Sequence, residues 1–532
     1  MKKNHVHFIL QAHLPFVRHL EYTRFLEEDW LFESIVESYL PLLRAFRRLR
    51  ADGVPFKVTV SLSPTLCAML DDEPLRQRFL SYVEIHRELG RKEIERCEAE
   101  QPECLPLARM YSDIYEQTYS DYTALYQYDV LEGFRNLEES GHLDIITTAA
   151  THAYLPLYAE FPTAIYAQVE TAIQSYIRHF KKSPKGFWLP ECGYVPGFEE
   201  YLRRQGISWF PIAASSLALA DTPAFRGMFS PVMTPGNVAA FPLNYHLTNL
   251  VWSNEEGYPG DPDYREFYRD IGYDLPLDYI RPYIHEPDVR VFTGFKYCAV
   301  TGHTDQKKTY VPQKAHEKAQ MHADNFLYEI RRTGQNIDSL IDVEPSHTIA
   351  FDAELFGHWW FEGVDWLEAV IRKSASCPDI VFDSPMDVLG SSMEDSLQTL
   401  TPGFSSWGTG GYSTVWLNGK NSWMYRHIHM AIKRMEEMAV RFPDQTSLRQ
   451  RCLNQAAREL LLAMASDWPF IIHNKTSVEY PEKRVREHLE NFTAVYDNMA
   501  RNAVNTEWLI KAEERDNIFP DMDYNIFIPS QQ

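Results

Sequence analysis

The chain has 532 residues, and its 74 acidic and 52 basic side chains give a formal net charge of −22. Proteins that bind nucleic acid neutralise phosphates with Lys and Arg clusters, so this excess of negative charge disfavours a nucleic-acid partner. The length and the 45% content of hydrophobic residues predict two or three folded domains and exclude general disorder. Aromatic residues make up 14% of the chain, which favours a ligand with flat, CH-rich faces, such as a sugar.

The sequence also predicts where the protein works. Its seven cysteines are scattered and include no Cys-x-x-Cys pair, so we expect neither a disulfide framework nor a zinc ribbon. The N-terminal residues enter a strand-like segment without a signal-peptide pattern, and no apolar run approaches the roughly 18 residues that span a bilayer. We therefore expect a cytoplasmic protein with no membrane partner. The oligomeric state stays open.

Short β-rich segments alternate with helical segments over the first two-thirds of the chain. Because parallel strands need crossover connections, this alternation is typical of an α/β fold, and so many units favour a closed barrel. We predict a distorted TIM-like (β/α)7 barrel. The predicted strands are His5–Leu10, Phe56–Ser61, Ile145–Ala149, Phe187–Leu189, Ser208–Phe210, Val291–Gly294 and Thr348–Phe351.

Two insertions and a change of pattern define the expected domains. Residues 64–141 are charged and helical, and a Pro/Gly-rich segment from 231 to 262 predicts a long loop within about 212–265. After about residue 363 the strand pattern disappears, and apolar residues follow helical spacing. We therefore predict a catalytic barrel over residues 1–362 and an all-helical C-terminal domain over 363–532 that contributes to the substrate cleft.

Two carboxylates follow predicted strands at the point where each strand ends. Glu191 comes after an apolar strand that stops at Pro190, and Asp352 ends a β-branched and apolar strand. Because the strand ends of a barrel share one rim, we expect the two side chains to form a pair, as retaining glycosidases require. Neighbouring aromatic residues favour Asp352 as the acid. Glu354 is a rival acid, although strand alternation would point it elsewhere.

Several segments resemble motifs of glycoside hydrolase family 57, and in particular its α-1,4-glucan branching enzymes and its intracellular α-amylase-like members. The resemblance extends over essentially the whole chain. It rests on AHLPF at 12–16, WLPEC at 188–192, the aromatic segments at 251–253, 257–261 and 265–270, and DAELFGHWW at 352–360. In the C-terminal third it rests on SSWG at 405–408, VWLN at 415–418 and SDWPF at 466–470.

The resemblance implies roles for individual residues. It makes Glu191 the nucleophile and Asp352 the general acid/base, with no cofactor and no metal, acting on an α-1,4-glucan such as amylose, glycogen or starch. The positions that it implies to contact substrate are His13, His152, Trp252, Trp359, Trp407, Trp416, Asp467 and Trp468.

The chain departs from the family pattern at three places. Gln11 stands where the family usually has the first histidine of a His-x-His element, so one protonatable group is replaced by a neutral amide. The segment from Arg226 to Phe229 stands where branching enzymes share a Tyr-Gly-x-Tyr element. Asn249 and Leu250 replace a basic or amide pair before Val251.

The nature of the acceptor therefore stays open at this stage. Attack by a glucan 6-hydroxyl on the glycosyl-enzyme makes a branching enzyme, attack by water an α-amylase, and attack by a 4-hydroxyl a 4-α-glucanotransferase. A catalytically impaired glucan-binding protein is a further alternative.

A metal-dependent deacetylase is disfavoured, because the pairs His5/His7 and His427/His429 lack a matching acid motif. A phosphate loop is disfavoured because the glycine-rich segment at 408–411 lacks the Gly-Lys-Ser/Thr continuation.

Overall fold

The structure is a computed structural model that describes residues 2–253, 257–285, 289–391, 397–501 and 503–529. Residues 254–256 of the predicted loop, and 392–396, 502 and 530–532 of the predicted helical domain, therefore lie outside the described residues. The strands are β1 (Asn4–Ala12), β2 (Val58–Leu62), β3 (Leu143–Thr148), β4 (Phe187–Trp188), β5 (Trp209–Ile212), β6 (Val232–Met233), β7 (Ala239–Pro242), β8 (Ser346–Asp352) and β9 (Ile380–Phe382).

Helices separate most of the strands, as the predicted alternation requires. Up to residue 391 they are α1 (Leu26–Ser34), α2 (Leu40–Ala51), α3 (Pro64–Asp71), α4 (Glu73–Glu100), α5 (Leu105–Ser120), α6 (Val130–Glu139), α7 (Pro162–Phe180), α8 (Glu199–Arg204), α9 (Ser215–Ala218), α10 (Tyr245–Trp252), α11 (Ile271–Asp274), α12 (Leu277–Ile280), α13 (Pro312–Ile337), α14 (Gly363–Ser374) and α15 (Pro385–Leu389). The later helices are α16 (Trp423–Arg441), α17 (Ser447–Ala463), α18 (Asp467–Asn474), α19 (Glu479–Ala500) and α20 (Thr506–Arg515). A π-helical turn, Ile35–Tyr39, lies between α1 and α2.

Seven parallel strands close into a barrel. β1 pairs with β2 and β8, β2 pairs with β3, and β3 pairs with β4. A second sheet contributes β5 and β7. Single parallel bridges, Gly186 to Trp209 and Leu243 to Thr348, join the two sheets at both of their contacts. This arrangement confirms the predicted distorted (β/α)7 barrel. The distortion lies at the two places where a single bridge replaces a continuous ladder.

One predicted strand is wrong, and a different segment takes its place in the barrel. The segment Val291–Gly294 is irregular, because the backbone N–H groups of Thr293 and Gly294 donate to the Asp270 carboxylate at 2.9 and 3.0 Å instead of to a neighbouring strand. Its place is taken by β7, which lies inside the segment predicted as a long loop. The two alanines and the proline of β7 make a weak strand pattern in the sequence.

Strands also continue beyond residue 363, where none was predicted. β9 pairs with Asn4–Val6 of β1, and β2 pairs with the later residues of the same strand. The intervening helix α14 packs against α13 and β9. Residues 363–382 therefore pack with the barrel, so the helical region begins later in the chain than predicted.

The remaining predicted elements are helical where expected. Helices α3 to α6 occupy the insertion at 64–141. The C-terminal region consists mainly of α16 to α20, in which α17 packs against α19, and the helically spaced methionines Met424, Met435 and Met438 of α16 are buried. This region reaches the barrel through the end of α17, where the Leu461 carbonyl accepts the Thr151 hydroxyl at 2.5 Å and the Ser466 N–H donates to the His152 carbonyl at 3.2 Å. Among the described helices, none is both long and apolar enough to cross a bilayer.

Candidate active site

A cavity of about 450 Å³ lies at the carboxyl ends of the barrel strands. In parallel barrels this end carries the ligand-binding groups, because the loops that follow the strands converge there. Glu191 and Asp352 both line the cavity. It also contains seven of the eight residues predicted to contact substrate, namely His13, His152, Trp252, Trp359, Trp407, Trp416 and Asp467.

Glu191 projects into this cavity from a strained turn. β4 ends at Trp188, and Glu191 then adopts the left-handed conformation, with φ 57° and ψ 29°. Such a conformation costs a non-glycine residue on the order of 1–3 kcal/mol and is concentrated at functional sites. Two hydrogen bonds hold the turn: the Trp407 N–H donates to the Glu191 carbonyl at 2.7 Å, and the Cys192 N–H donates to the Leu189 carbonyl at 2.9 Å. The Glu191 side chain stays 23% exposed.

Asp352 reaches the cavity from a different strand. It is the last residue of β8, and its register partner on β1 is Gln11, which lines the cavity too. Its backbone is therefore fixed by the parallel ladder rather than by a loop. The sequence prediction that Glu191 and Asp352 meet at one rim of the barrel agrees with this placement.

The two carboxyl groups oppose each other's ionisation. Burial, followed by the negative charges of Asp352 and Asp467, raises the pKa of Glu191 well above its ordinary value. Burial raises the pKa of Asp352 to about 6, while the positive charge of His13 opposes that rise. Because each charge disfavours the other, the pair retains one proton near neutral pH. Retaining glycoside hydrolysis requires one ionised and one protonated carboxyl. In this cavity Glu191 has the higher pKa and holds the remaining proton, so a nucleophilic role for Glu191 requires that proton to pass to Asp352.

Glu354 is a third acid in the cavity wall, which corrects the expectation that it points elsewhere. The strand ends at Asp352, and residues Ala353–Leu355 form a 3-10 turn, so strand alternation no longer applies. Glu354 accepts hydrogen bonds from the Tyr39 hydroxyl and, at 3.3 Å, from the His13 N–H. Burial raises the pKa of Glu354 to about 8, and Asp352 adds to the rise.

The π-helical turn Ile35–Tyr39 holds the loop that follows Asp352. Tyr39 donates to Glu354, and Glu37 accepts a 2.6 Å hydrogen bond from Nδ1 of His358. Gly357, with φ +98°, lies so close that a Cβ atom there would approach the Glu37 carbonyl oxygen to 1.8 Å. The turn therefore fixes the backbone between Asp352 and Trp359. π-helical turns of this kind are frequent at functional sites.

His13 and His152 form one wall of the cavity. Their rings stack with centroids 4.0 Å apart and planes inclined by 17°. Nε2 of His13 donates to the Asp467 carboxylate, at 3.1 and 3.2 Å from its two oxygens. Asp467 is the first residue of α18, so the C-terminal region supplies one carboxylate to the cavity formed by the barrel. Asp467 thus brings this region to the cavity, and the contribution of the region to a substrate cleft stays a prediction.

The hydrogen bonds of His152 determine its tautomer. The Gln11 side-chain amide donates to Nε2 of His152 at 3.1 Å, so in the neutral ring Nδ1 carries the proton and donates to the Ser466 hydroxyl at 3.0 Å. Burial, with the charge on His13, lowers the pKa of His152 well below its ordinary value and keeps the ring neutral. Nδ1 lies 3.9 Å from the nearer oxygen of Glu191.

The predicted tryptophans differ in what they offer a ligand. Trp252 and Trp407 are stacked, with centroids 6.5 Å apart and planes inclined by 15°. Trp252 and Trp359 are 43% and 46% exposed, whereas Trp416 is buried against Tyr154 and only borders the cavity. Trp468 does not line the cavity. It is fully buried, and its indole N–H donates to the Leu462 carbonyl at 2.8 Å, so we leave it out of the proposed contact set.

The sequence analysis missed further cavity residues. Tyr245 and Thr248 precede Trp252 on α10 at the spacing i, i+3, i+7, so the three share one helix face. Phe470 follows Asp467 by three residues on α18 in the same way. These residues could have been found from their helical spacing relative to Trp252 and Asp467, which the sequence analysis had selected. For Tyr245 and Thr248 this would have required a helix in a segment that was predicted as a loop.

One group of potential metal ligands occurs among the described residues, and it lies outside the cavity. Glu459, His488 and Asp516 come together in the C-terminal helices, fully buried. Their carboxylates already accept hydrogen bonds: Arg515 donates to Asp516 at 2.8 Å, and His488 donates to Glu459 at 2.7 Å. Side-chain cations thus supply the positive charge that a metal ion would provide, and the group forms an ion-pair network.

Comparison with known proteins identifies the family. The model of glycosyl hydrolase family 57 matches residues 7–376, and that of the C-terminal domain of 1,4-alpha-glucan branching enzymes matches residues 427–527. The 1,4-alpha-glucan branching enzyme TK1436 of Thermococcus kodakarensis is 30% identical over 97% of this chain and 77% of its own length.

Two solved structures are similar over nearly their whole length. The alpha-amylase AmyC from Thermotoga maritima is 37% identical, with a TM-score of 0.93 and all of both chains covered. The branching enzyme from Pyrococcus horikoshii is 30% identical, with a TM-score of 0.89, and 100% of this chain and 98% of that one are covered. Together with the cavity and its paired carboxylates, these matches show that the chain belongs to glycosyl hydrolase family 57.

Proposed function

We propose that the chain is a retaining 1,4-α-glucan branching enzyme, which cleaves an α-1,4 linkage and transfers the released chain to a 6-hydroxyl group. The observation that carries the proposal is the presence of Glu191 and Asp352 in one cavity, where burial and mutual repulsion leave one proton on the pair. The match to the branching-enzyme C-terminal domain and the names of the relatives support transfer as the outcome.

In the first step Glu191 is the nucleophile and Asp352 the acid. The Glu191 carboxylate forms a bond to the anomeric carbon while the bond to the glycosidic oxygen breaks, and the Asp352 proton passes to that oxygen. Because Glu191 has the higher pKa, this step proceeds from the form of the pair in which the shared proton has passed to Asp352. The product of this step is a covalent glycosyl-enzyme.

In the second step the roles of the pair reverse. The Asp352 carboxylate takes the proton of an acceptor 6-hydroxyl, the acceptor oxygen bonds to the anomeric carbon, and the ester bond to Glu191 breaks. Two displacements at the same carbon retain its configuration. Transfer needs an acceptor chain positioned against the intermediate, and the stacked Trp252 and Trp407 provide a flat surface at the cavity for that chain.

Hydrolysis is the second candidate activity, and two observations favour it. The alpha-amylase AmyC is 37% identical over the complete chain. In addition, the segment from Arg226 to Phe229 has no tyrosine where branching enzymes share a Tyr-Gly-x-Tyr element. Arg226 there forms an ion pair with Asp342 at 2.7 Å, and the segment does not line the cavity. Whether water or a glucan hydroxyl attacks the glycosyl-enzyme decides between the two.

Incubation of the purified protein with amylose separates the candidates. New α-1,6 anomeric signals by proton NMR, with little rise in reducing ends, are the expected result. Reducing ends that rise without α-1,6 signals indicate an α-amylase, and redistributed chain lengths without either change indicate a 4-α-glucanotransferase. Binding of amylose without any of these products overturns the proposal in favour of a non-catalytic glucan-binding protein.

A trapping experiment tests the assignment of the two carboxyl groups. A 5-fluoro-glucosyl fluoride should label the wild-type protein on the peptide that contains Glu191, as seen by mass spectrometry. Glu191→Gln should abolish both labelling and turnover, by about 10³-fold or more. Glu139→Gln is the matched control, since Glu139 is exposed and remote from the cavity lining. Labelling of another residue, or an active Glu191→Gln variant, contradicts the assignment.

We also propose that the enzyme acts in the cytoplasm. All seven cysteines are unpaired in the structure, and five of them are buried: Cys67, Cys97, Cys104, Cys192 and Cys452. Unpaired thiols are typical of a reducing compartment. Fractionation of the source cells with an antibody against the protein tests this location.

A further inference from the structure

A continuous path of aromatic rings leads from the cavity onto the surface. It starts at Trp359 and continues through His358, whose ring lies 6.3 Å from that of Trp359 and 5.3 Å from that of Phe267. Phe267 in turn contacts Phe292 at 5.7 Å. We call these four residues, together with Tyr268 and Tyr273, the aromatic path.

Two exposed tyrosines form the outer part of the aromatic path. Tyr268 packs edge-on against Phe267 at 5.1 Å, and Tyr273 packs against Phe292 at 5.3 Å. Tyr268 is 75% exposed and Tyr273 is 48% exposed. Rings that serve only the core would be covered, whereas these two are exposed, and the Tyr273 hydroxyl donates to the Arg290 carbonyl at 3.3 Å.

The exposed rings rest on a rigid base. The Lys296 ammonium lies 3.9 Å from the centre of the Phe292 ring and 5.1 Å from that of Phe267, and it forms an ion pair with Asp270 at 3.2 Å. The Asp270 carboxylate also accepts the backbone N–H groups of Gly272 and Thr293 at 2.8 and 2.9 Å. The two segments that carry the path are thereby tied to each other before any ligand binds.

We propose that the aromatic path is a binding surface for an α-glucan chain that extends from the cavity, an inference that rests on the proposed function. The occupant follows from continuity, because the path begins at a residue that lines the cavity. It also follows from chemistry, since aromatic faces match the CH faces of glucosyl units and the tyrosine hydroxyls match their hydroxyl edges. A base that is already fixed reduces the ordering cost of binding. The path would make the enzyme prefer polymeric over short substrates.

Affinity measurements on a Glu191→Gln background test the path without turnover. Tyr268→Ala and Tyr273→Ala should each raise the Kd for soluble amylose about 2–10-fold relative to the Kd for maltotetraose, and the double variant should raise this ratio further. Tyr328→Ala is the matched control, because Tyr328 is 59% exposed on α13 and does not contact the path. The same ratio of KM values, measured in otherwise wild-type protein, should change in parallel.

Two results would overturn the inference. One is a double variant whose amylose-to-maltotetraose ratio equals that of the wild type. The other is an equal loss of affinity for both glucans, which would indicate a disturbed cavity; near-UV circular dichroism and the Tm identify such a disturbance. Failure of the proposed function is distinguishable, because the wild-type protein would then form no α-1,6 linkages from amylose, whatever the ratio of its Kd values for the two glucans.

Discussion

The side-chain amide of Gln11 donates a hydrogen bond to Nε2 of His152 at 3.1 Å, and the opposite side of that imidazole faces Glu191. The Gln11 carbonyl oxygen is buried and has no hydrogen-bond partner in the part of the chain that the structure describes. Gln11 also lines the cavity, and its amide orients the ring of His152 from the buried side.

The first prediction concerns this amide. Gln11→Leu removes both hydrogen-bonding functions and leaves Nε2 of His152 buried without a donor, a loss of about 1–3 kcal/mol. We expect kcat/KM on amylose to fall about 5–100-fold. Gln11→Glu is the informative comparison: an acceptor at this position requires the proton on Nε2 and so reverses the tautomer of His152. Unchanged kinetics in both variants would show that the ring needs no support from Gln11.

The second prediction concerns the pH profile of kcat/KM. Below about 6, where Asp352 becomes protonated, both carboxyls hold protons and no nucleophile remains. Above the raised pKa of Glu191 both are ionised and no acid remains. We therefore expect a bell-shaped profile with its acid limb near pH 6. A profile whose acid limb lies near the ordinary carboxyl range, about pH 4, would contradict the rise in the pKa of Asp352 that burial causes.

The variant Asp352→Asn extends this test to the alkaline limb. With an activated substrate such as α-glucosyl fluoride, the leaving group needs no proton, so formation of the glycosyl-enzyme continues without the acid. The limb that remains reports the ionisation of Glu191 alone. Its midpoint should lie below the pKa of Glu191 in the wild type, because the Asp352 charge that helped to raise that pKa is gone, while burial still holds it above the ordinary carboxyl value. The alkaline limb should disappear. Retention of that limb would assign the acid to another group, with Glu354 as the first candidate.

The third prediction concerns the π-helical turn. Tyr39→Phe removes the hydroxyl that donates to Glu354 and leaves that carboxyl buried with one donor fewer. Because this contact fixes the loop between Asp352 and Trp359, we expect kcat to fall about tenfold with little change in KM. Glu354 should also become harder to ionise, since the lost hydrogen bond held its pKa down. Tyr328→Phe on the surface of α13 is the control, and equal kinetics in the two variants would refute a positioning role.

The barrel and its two carboxylates were predictable because both depend on local pattern. Glu191 and Asp352 each stand at the end of an apolar strand. Because the parallel strands of a barrel end at one rim, the two side chains are expected to meet there. β7 was missed because Ala239 and Ala240 have a low preference for strands. Val291–Gly294 was wrongly predicted as a strand because its apolar residues resemble one, whereas its backbone is bound by the Asp270 carboxylate.

The contacts around the carboxylates were beyond sequence analysis for a different reason. His13 and Asp467 are separated by more than 450 positions, and Gln11 and His152 by 141, so no local spacing connects them. The turn that places Glu354 in the cavity wall is also invisible to strand alternation. Family resemblance supplied several of these positions, but it also suggested Trp468, which the structure buries.

The fourth prediction concerns the ion-pair network in the C-terminal helices. Burial alone would raise the pKa of Asp516, but the charges of His488, Arg484 and Arg515 lower it below its ordinary value. A lowered folded-state pKa stabilises the fold above the ordinary carboxyl pKa, and this contribution is lost as the pH falls through the folded-state value.

Arg515→Met removes one of the buried cationic partners of Asp516 and should reduce the free energy of unfolding by about 3–5 kcal/mol at neutral pH. The deficit should shrink in acid, where Asp516 is neutral in both proteins. Treatment with EDTA should leave the wild-type Tm unchanged; a chelator-dependent fall in Tm would instead identify Glu459, His488 and Asp516 as metal ligands.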